Sequence, residues 1–565
     1  MRRGFNPSPS TSQPITPDAR HQAPALRTAP KYGKIRTMKP IAVTTSDFPT
    51  LIGSGQVYVD KTAYFHSLIT DPSIAYFFIA RPRRFGKTLM MSTLKAIFEG
   101  RRELFKGLAI DSTNYDWKKH PVLAFNFGGI AATSLEDFGT TFAASVRDSL
   151  ADAGYREYDI GETPSINFKR AMEALAKRSE TGKVVVLIDE YDDPVAKALK
   201  DKKLALAIRD RIGTFYAQLK DRTGIVRFAM ITGVSKFTKV SVFSTLSNMI
   251  DISFNEKYAA MLGYTDEELD RFFDEHMHRQ AGLMKLEYSE YRRELREWYN
   301  GFRFTPRDER TLYNPISLAM TLAEPAQQFS ATWTETGRPS MLMNFLERDE
   351  FMEAFSDGTP IMARDTEFDV SDINNLKTVG MLFQTGYLTI KRYDAPTGFF
   401  YLDVPDKEIA RDLALLTMDF MAEERSSWAA KLGDYLCSYK WSKFFAGLGA
   451  LYAKMCYGPT EGRVHEYSYA RILHTLLVSQ GMDVTQEGQM ATGRADIIGT
   501  YPGGTFIFEL KVDGTADEAF AQIDERGYAE PFRATGRPIW KIALVFDAKS
   551  RALTDAQARE DIVKL

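Results

Sequence analysis

Between residues 76 and 232, short apolar runs alternate with longer stretches of helical period. Four of these runs are YFFIA (76–80), VLAFNF (122–127), VVVLID (184–189) and VRFAMIT (226–232). They are nearly continuous in Val, Ile, Leu and Phe. A strand with one solvated face alternates apolar and polar residues, whereas a strand covered on both faces does not need to. The pattern therefore predicts a parallel sheet with helices on both faces. From 255 to about 435 the periodicity is mostly helical, interrupted by loops at YNGFRF and TGRPS. After YGPTEG (457–462) it changes again, to a helix, a hairpin at Pro502-Gly503-Gly504, a second helix and a strand. No internal repeat is visible.

Composition narrows the function classes. At 565 residues the chain is too long for one core and predicts roughly three or four domains. A net charge of −2 gives no general attraction to nucleic acid or membrane, so any such contact must come from local patches. Two cysteines, Cys437 and Cys456, exclude a disulfide framework and a Cys-based zinc site, and fit a cytoplasmic location. The longest apolar runs, such as VVVLI (184–188), fall far short of the ~20 residues a membrane helix needs. Residues 1–37 are rich in Pro, Ser and Thr and carry seven Lys/Arg against one acid, Asp18. They are expected to form a disordered, dispensable tail, with Met38 reading as a natural start.

The run ARPRRFGKT (80–88) follows one predicted buried strand and leads into the helical KTLMMSTLKAIFEG. Strand, loop and helix in that order let backbone N–H groups and a helix N-terminus hold phosphate. Lys87 would reach the β- and γ-phosphates and the Thr88 hydroxyl would ligate Mg²⁺. A partner lies at the end of another buried run, where Asp189 would hold the Mg²⁺ shell and Glu190 would polarise a water. The usual G-x-x-x-x-G-K-[ST] pattern wants glycine where this chain has Arg81. Arg81, Arg83 and Arg84 are expected to compensate with charge.

Several motifs occur in order: YVDKT (58–62), ARPRRFGKT, LIDEYDDPV (187–195), ITGVSKF (231–237) and WYNGFRF…LYNPISL (298–318). Together they resemble the prokaryotic AAA-ATPase-like family over about residues 40–320. In that family R-P-R-R-F-G-K-T is the usual form. The resemblance implies an ASCE-type P-loop ATPase using ATP and Mg²⁺. Its nucleotide site would comprise Arg83, Arg84, Phe85, Gly86, Lys87, Thr88 and Asp189, with Thr232 or Ser235 as sensor. No arginine finger is identifiable; Arg227 is a candidate, but is expected to be a surface residue instead.

A second constellation lies between 461 and 513. Glu466 is in helical register with Ala470, Leu473 and Leu477. If the hairpin turns between Pro502 and Gly503, Asp496 stands opposite Glu509, and Lys511 shares its face. Two crowded carboxylates repel unless a cation lies between them, and Mg²⁺ suits oxygen donors. Lys511 could then orient or activate water beside a scissile phosphate. GRAD (493–496), FELKV (508–512) and QIDERGY (522–528) resemble the PD-(D/E)XK nuclease superfamily. The resemblance implies Glu466, Asp496, Glu509 and Lys511 as the catalytic set, Asp496 and Glu509 as metal ligands, and Gln522 and Tyr528 as supports. Glu487 is a further candidate acid. Against clamping of DNA, residues 456–565 hold sixteen acids and twelve Lys/Arg.

The expected organisation is a tail (1–37), an α/β P-loop ATPase domain (38–254), a helical middle domain (255–435) and an α/β nuclease-like domain (436–565). The expected function is an ATPase coupled to a metal-dependent nuclease. DNA or RNA is the expected partner, with self-association into a homo-oligomer. The alternative is an ATP-switched signalling or scaffold protein whose C-terminal domain binds nucleic acid without cutting it. Because the tail lacks periodic apolar residues, a chain beginning at Met38 should melt at the temperature of the full chain and turn over ATP equally well. Differential scanning calorimetry and an ATPase assay of both check this.

Overall fold

The computed structural model describes residues 38–71, 75–220, 222–236, 249–333, 361–368, 373, 376–422, 427–455, 466–486 and 497–562. The tail, Asp496 and Glu487 lie outside these described residues. No described helix is long and apolar enough to cross a membrane.

The apolar runs become the strands β1 (Tyr76–Ala80), β2 (Val122–Asn126), β3 (Val184–Asp189) and β4 (Val226–Gly233), joined by the short β5 (Ile250–Asp251). The sheet order is β2-β3-β4-β1-β5, and every pairing is parallel. Each residue of β1 and β3 is buried, as two-sided coverage requires. Sequence-distant β4 lies between β1 and β3, so the two motif-bearing strands flank a common neighbour. The helix Lys87–Phe98 starts directly after Gly86, whose φ of +87° makes the turn out of the loop.

The region after 255 is largely helical but also contains strands that its periodicity does not announce. A two-residue-wide pair, β6 (Asn300–Phe302) and β7 (Leu312–Tyr313), precedes an antiparallel sheet of β8 (Ile361–Ala363), β9 (Thr389–Asp394) and β10 (Phe399–Asp403) in the order β8-β10-β9. These strands are short, and β9 has exposed Lys391 and Arg392 at its centre, which obscures the period. Residues Tyr387, Leu388, Ile390, Phe400 and Leu402 join the same hydrophobic cluster as β1 and β3, so this sheet shares the core of the parallel one.

The C-terminal sheet runs β11 (Asp483–Gln486), β12 (Ile497–Tyr501), β13 (Gly504–Val512), β14 (Ile539–Phe546) and β15 (Leu553–Glu560) in sequence order. It is mixed. β13 and β14 are parallel and the other pairs antiparallel. The parallel step is bridged by the helix Ala516–Arg526, whose Ala519, Phe520 and Ile523 pack with Ile498 and Ile507 on one face. Phe506, Phe508 and Leu510 point to the other face and meet Leu473 and Leu477 of the helix Glu466–Ser479. The fold class expected from sequence is thus observed, with β11 and β15 added as edges.

Gly301 in the YNGFRF loop shows how closely the parts approach. Its φ is +145°, and a Cβ there would stand 2.0 Å from the Pro405 carbonyl oxygen. Replacement by alanine must move backbone against backbone. Gly301→Ala should therefore lower stability by about 2–4 kcal/mol, read as a reduced melting temperature in a thermal denaturation.

Candidate nucleotide cleft and nuclease-like site

The C-terminal ends of β1 and β3 open onto a cleft of about 500 Å³, a volume typical of small-molecule sites. Arg83, Arg84, Gly86, Lys87, Thr88 and Glu190 line its polar wall. Ile41, Val57, Tyr264 and Phe273 also line it, and they belong to one hydrophobic cluster, an apolar wall suited to a planar base.

Asp189 ties the polar wall together. It ends β3, and its carboxylate accepts from the Thr88 hydroxyl (2.7 Å), from the Thr232 hydroxyl (2.5 Å) and from the Glu190 N–H (3.0 Å). Thr232 lies fully buried on β4 and Ser235 instead donates to Asp192. Of the two sensor candidates, it is Thr232 that touches Asp189. Glu190 is left-handed at φ +52°, a costly conformation for a side-chain-bearing residue. Burial, followed by the negative charges of Asp189 and Asp193, raises its carboxyl above the ordinary range, which suits a proton acceptor. Lys87 Nζ donates to the carbonyls of Arg81 (2.9 Å) and Pro82 (2.8 Å). Burial pushes the amine down to about 8, with Asp189, Asp192 and Glu190 opposing the fall.

The three loop arginines do not act alike. Arg83 is largely exposed, lines the cleft and pairs with Asp193 at 3.4 Å. Arg84, left-handed at φ +68°, lines the cleft and donates to the Thr332 carbonyl at 2.8 Å. Arg81 is buried away from it. Its guanidinium donates to the carbonyls of Ala80 and Ser253 and lies 4.4 Å from the Phe304 ring centroid. The expectation that Arg81 adds charge to the phosphate loop is therefore corrected: it anchors the loop's base. Phe85 packs edge-on against Phe302 and Phe304, so its side chain also serves the core. Arg227 is half-buried and donates to the Ile69 carbonyl.

Two contributors escaped the sequence reading. Gly128 follows β2, and a Cβ on it would stand 1.6 Å from Glu190 Oε2. The Gly128-Gly129 pair directly after a buried run was the available signal. Asp192 is fully buried and accepts from Val234 N–H, Ser235 N–H and the Ser235 hydroxyl, locking the β4 end to the β3 end. Trp333 and Tyr387, far along the chain, also line the cleft, and no local pattern marks them.

In the C-terminal sheet the register Ile497↔Phe508 and Tyr501↔Gly504 is that of a turn centred between Pro502 and Gly503. Glu509 is 1% exposed, and its Oε1 accepts from Lys511 Nζ at 2.6 Å. Lys511 also donates to Gln522 Oε1 at 2.6 Å, bringing the expected support residue into the cluster. Tyr528 packs beside Phe520 and Ile523. Glu466 is the first residue of its helix. The second expected carboxylate, Asp496, lies outside the described residues. Among the described residues, no group of three or more His, Cys, Asp and Glu side chains could hold a metal ion. Among the described residues Glu509 Oε2 is nevertheless buried without a hydrogen-bond partner, which fits a carboxylate kept for a cation. The oxygens of Thr88 and Asp189 form a hard donor set of the kind Mg²⁺ takes.

Comparison with known proteins finds a family match over each of the two regions. The family described as "Predicted AAA-ATPase" matches residues 40–243, and the family described as "PD-(D/E)XK nuclease superfamily" matches residues 464–556. The chain is 33% identical over 520 residues to a protein of Azotobacter chroococcum mcd 1 named "Uncharacterized protein in vnfD 5'region", covering 89% of this chain and 95% of that one. No solved structure matches.

The Lys87 geometry carries a sign for pH. Phosphate binding needs the charged amine, and free Lys87 loses its proton as pH rises through about 8. ATP affinity should therefore hold below pH 8 and fall above it, approaching about tenfold per pH unit, with proton uptake on binding. Isothermal titration calorimetry at pH 7 and 9, in buffers of different ionisation enthalpy, checks both.

Proposed function

Because this chain belongs to the family that joins a predicted AAA-ATPase domain and a PD-(D/E)XK nuclease superfamily domain in one polypeptide, we propose that it hydrolyses ATP in the cleft and cleaves phosphodiester bonds at the Glu509–Lys511 cluster, the nucleotide state gating the second activity. We assign the ATPase to 38–254, the connecting part to 255–435 and the nuclease to 436–565. The observation that carries the reading is the Asp189 carboxylate held between the Thr88 and Thr232 hydroxyls at the mouth of the cleft.

Lys87 exchanges its two carbonyl acceptors for the β- and γ-phosphates, trading neutral acceptors for charged ones. Gly86, Arg83, Arg84 and the Phe85 backbone surround the phosphates. Thr88 and Asp189 would hold Mg²⁺, which supplies charge neutralisation on the phosphates. Glu190 accepts the proton of the attacking water, its basicity raised by burial. Thr232 fixes the Asp189 carboxylate. In the second site Asp496 and Glu509 would hold a divalent metal, with Glu466 as a further acid from the helix start. Lys511, oriented by Glu509 and Gln522, faces the scissile phosphate. The nucleic acid is DNA or RNA.

The test uses the purified full chain. Lys87→Ala should abolish ATP turnover, and Glu190→Gln should bind ATP without hydrolysing it. Glu509→Ala and Asp496→Ala should each lose metal-dependent cleavage of DNA or RNA by more than about 100-fold while ATP turnover persists, the sites belonging to separate cores. Equal cleavage by wild type and Glu509→Ala would overturn the nuclease reading. Chelator-resistant nucleic-acid binding without cleavage would replace it with the binding-only scaffold.

A further inference from the structure

One helix connects the neighbourhood of the phosphate loop with the C-terminal sheet. The helix Lys407–Ala422 carries Glu408 in its first turn, and Glu408 is fully buried. Glu408 Oε1 accepts from both the N–H and the hydroxyl of Thr332, each at 2.8 Å. The carbonyl of the same Thr332 accepts from Arg84 of the phosphate loop. Trp333, the next residue, lines the cleft. Two further buried carboxylates, Asp406 and Asp412, flank Glu408 on the same stretch. Burial raises the Glu408 and Asp406 carboxyls, and the Arg84 charge works against that rise at Glu408. The helix also reaches the C-terminal sheet. Lys407 pairs with Glu297 (2.9 Å) and with Asp483 of β11 (2.8 Å). The Arg411 guanidinium lies 3.0 Å from where a Cβ on Gly481 would stand. The helix also packs along Glu466–Ser479, the helix that begins with Glu466.

We propose that Glu408 is a positioning residue for Arg84 and that the helix bearing it carries nucleotide occupancy from the phosphate loop to the edge of the nuclease-like sheet. This rests on the ATP-binding reading of the cleft. Arg84 donates to a neutral carbonyl, that of Thr332. A triphosphate offers it a charged acceptor, and charge-assisted bonds are roughly twice as strong as neutral ones. Bound nucleotide therefore draws Arg84 from Thr332. That contact exists in one state and not the other, which is what allows a ligand to shift an equilibrium. The Thr332–Glu408 link then loses its anchor, and the buried Glu408 loses a nearby cation. The start of the helix re-seats, and Lys407, on the same turn, passes the shift to Asp483.

Hydrogen–deuterium exchange of the full chain, with and without a non-hydrolysable ATP analogue, reads this directly, without reference to cleavage. In wild type, nucleotide should change exchange in peptides covering 405–422 and 480–486. Glu408→Gln, which keeps an acceptor and removes the charge, should bind the analogue yet lose both responses. Lys407→Met alters a partly exposed residue outside both sites. It should keep wild-type ATP turnover and the response at 405–422, and lose the response at 480–486. Nucleotide binding with unchanged exchange in wild type, or a preserved 480–486 response in Lys407→Met, would overturn the proposal while leaving the ATPase reading intact. Failure of wild type to bind nucleotide would overturn both.

Discussion

The cleft depends on where the Asp189 carboxylate is held. It sits at the end of a strand that is buried throughout, and it is fixed by hydroxyls from two other elements, Thr88 on the helix after β1 and Thr232 on β4. A carboxylate so placed cannot swing into the core, where an unpaired charge costs several kcal/mol. It stays at the mouth, beside Lys87. The backbone that positions it is strained at the next residue, Glu190, and the strain is tolerated because Gly128 leaves room for the Glu190 side chain.

The arginine-rich loop solves with side chains what a glycine-rich loop solves with backbone freedom. Arg81 pins the loop's base through two carbonyls and the Phe304 ring. Phe85 pins its tip in an aromatic cluster with Phe302 and Phe304. The aromatic partners in both anchors, Phe302 and Phe304, come from more than 200 residues downstream, so the phosphate loop and the region after 255 share one core. Pro82 lies 2.9 Å from where a Cβ on Gly386 would stand, another point at which these segments meet.

In the C-terminal sheet the same logic places Glu509. Alternate residues of β13 serve opposite faces: Phe506, Phe508 and Leu510 fill one core, while Ile507 turns toward the helix Ala516–Arg526. Glu509 shares the face of Ile507, and Lys511 and Gln522 close over it. The 1% exposed carboxylate is paired with the Lys511 ammonium, and among the described residues its Oε2 has no hydrogen-bond partner, which leaves room for a second cation.

By itself the sequence determined strands β1 to β4, the strand–loop–helix at 76–98, the acidic end of β3 and the hairpin turn at Pro502-Gly503. Each is a local pattern: continuous apolar runs, a glycine at a positive φ before a helix, alternation across a two-residue turn. It did not determine what depends on segments meeting across long separations. β4 between β1 and β3, the antiparallel sheet of β8–β10, and the apolar wall from Ile41 to Phe273 were set by packing. So was the division of labour among the three arginines. Arg81, Arg83 and Arg84 are chemically identical and lie in one short loop. Only the tertiary structure decided that one is buried against an aromatic ring, one faces the cleft and one reaches Thr332, because the partners that distinguish them arrive from residues 193, 253, 304 and 332.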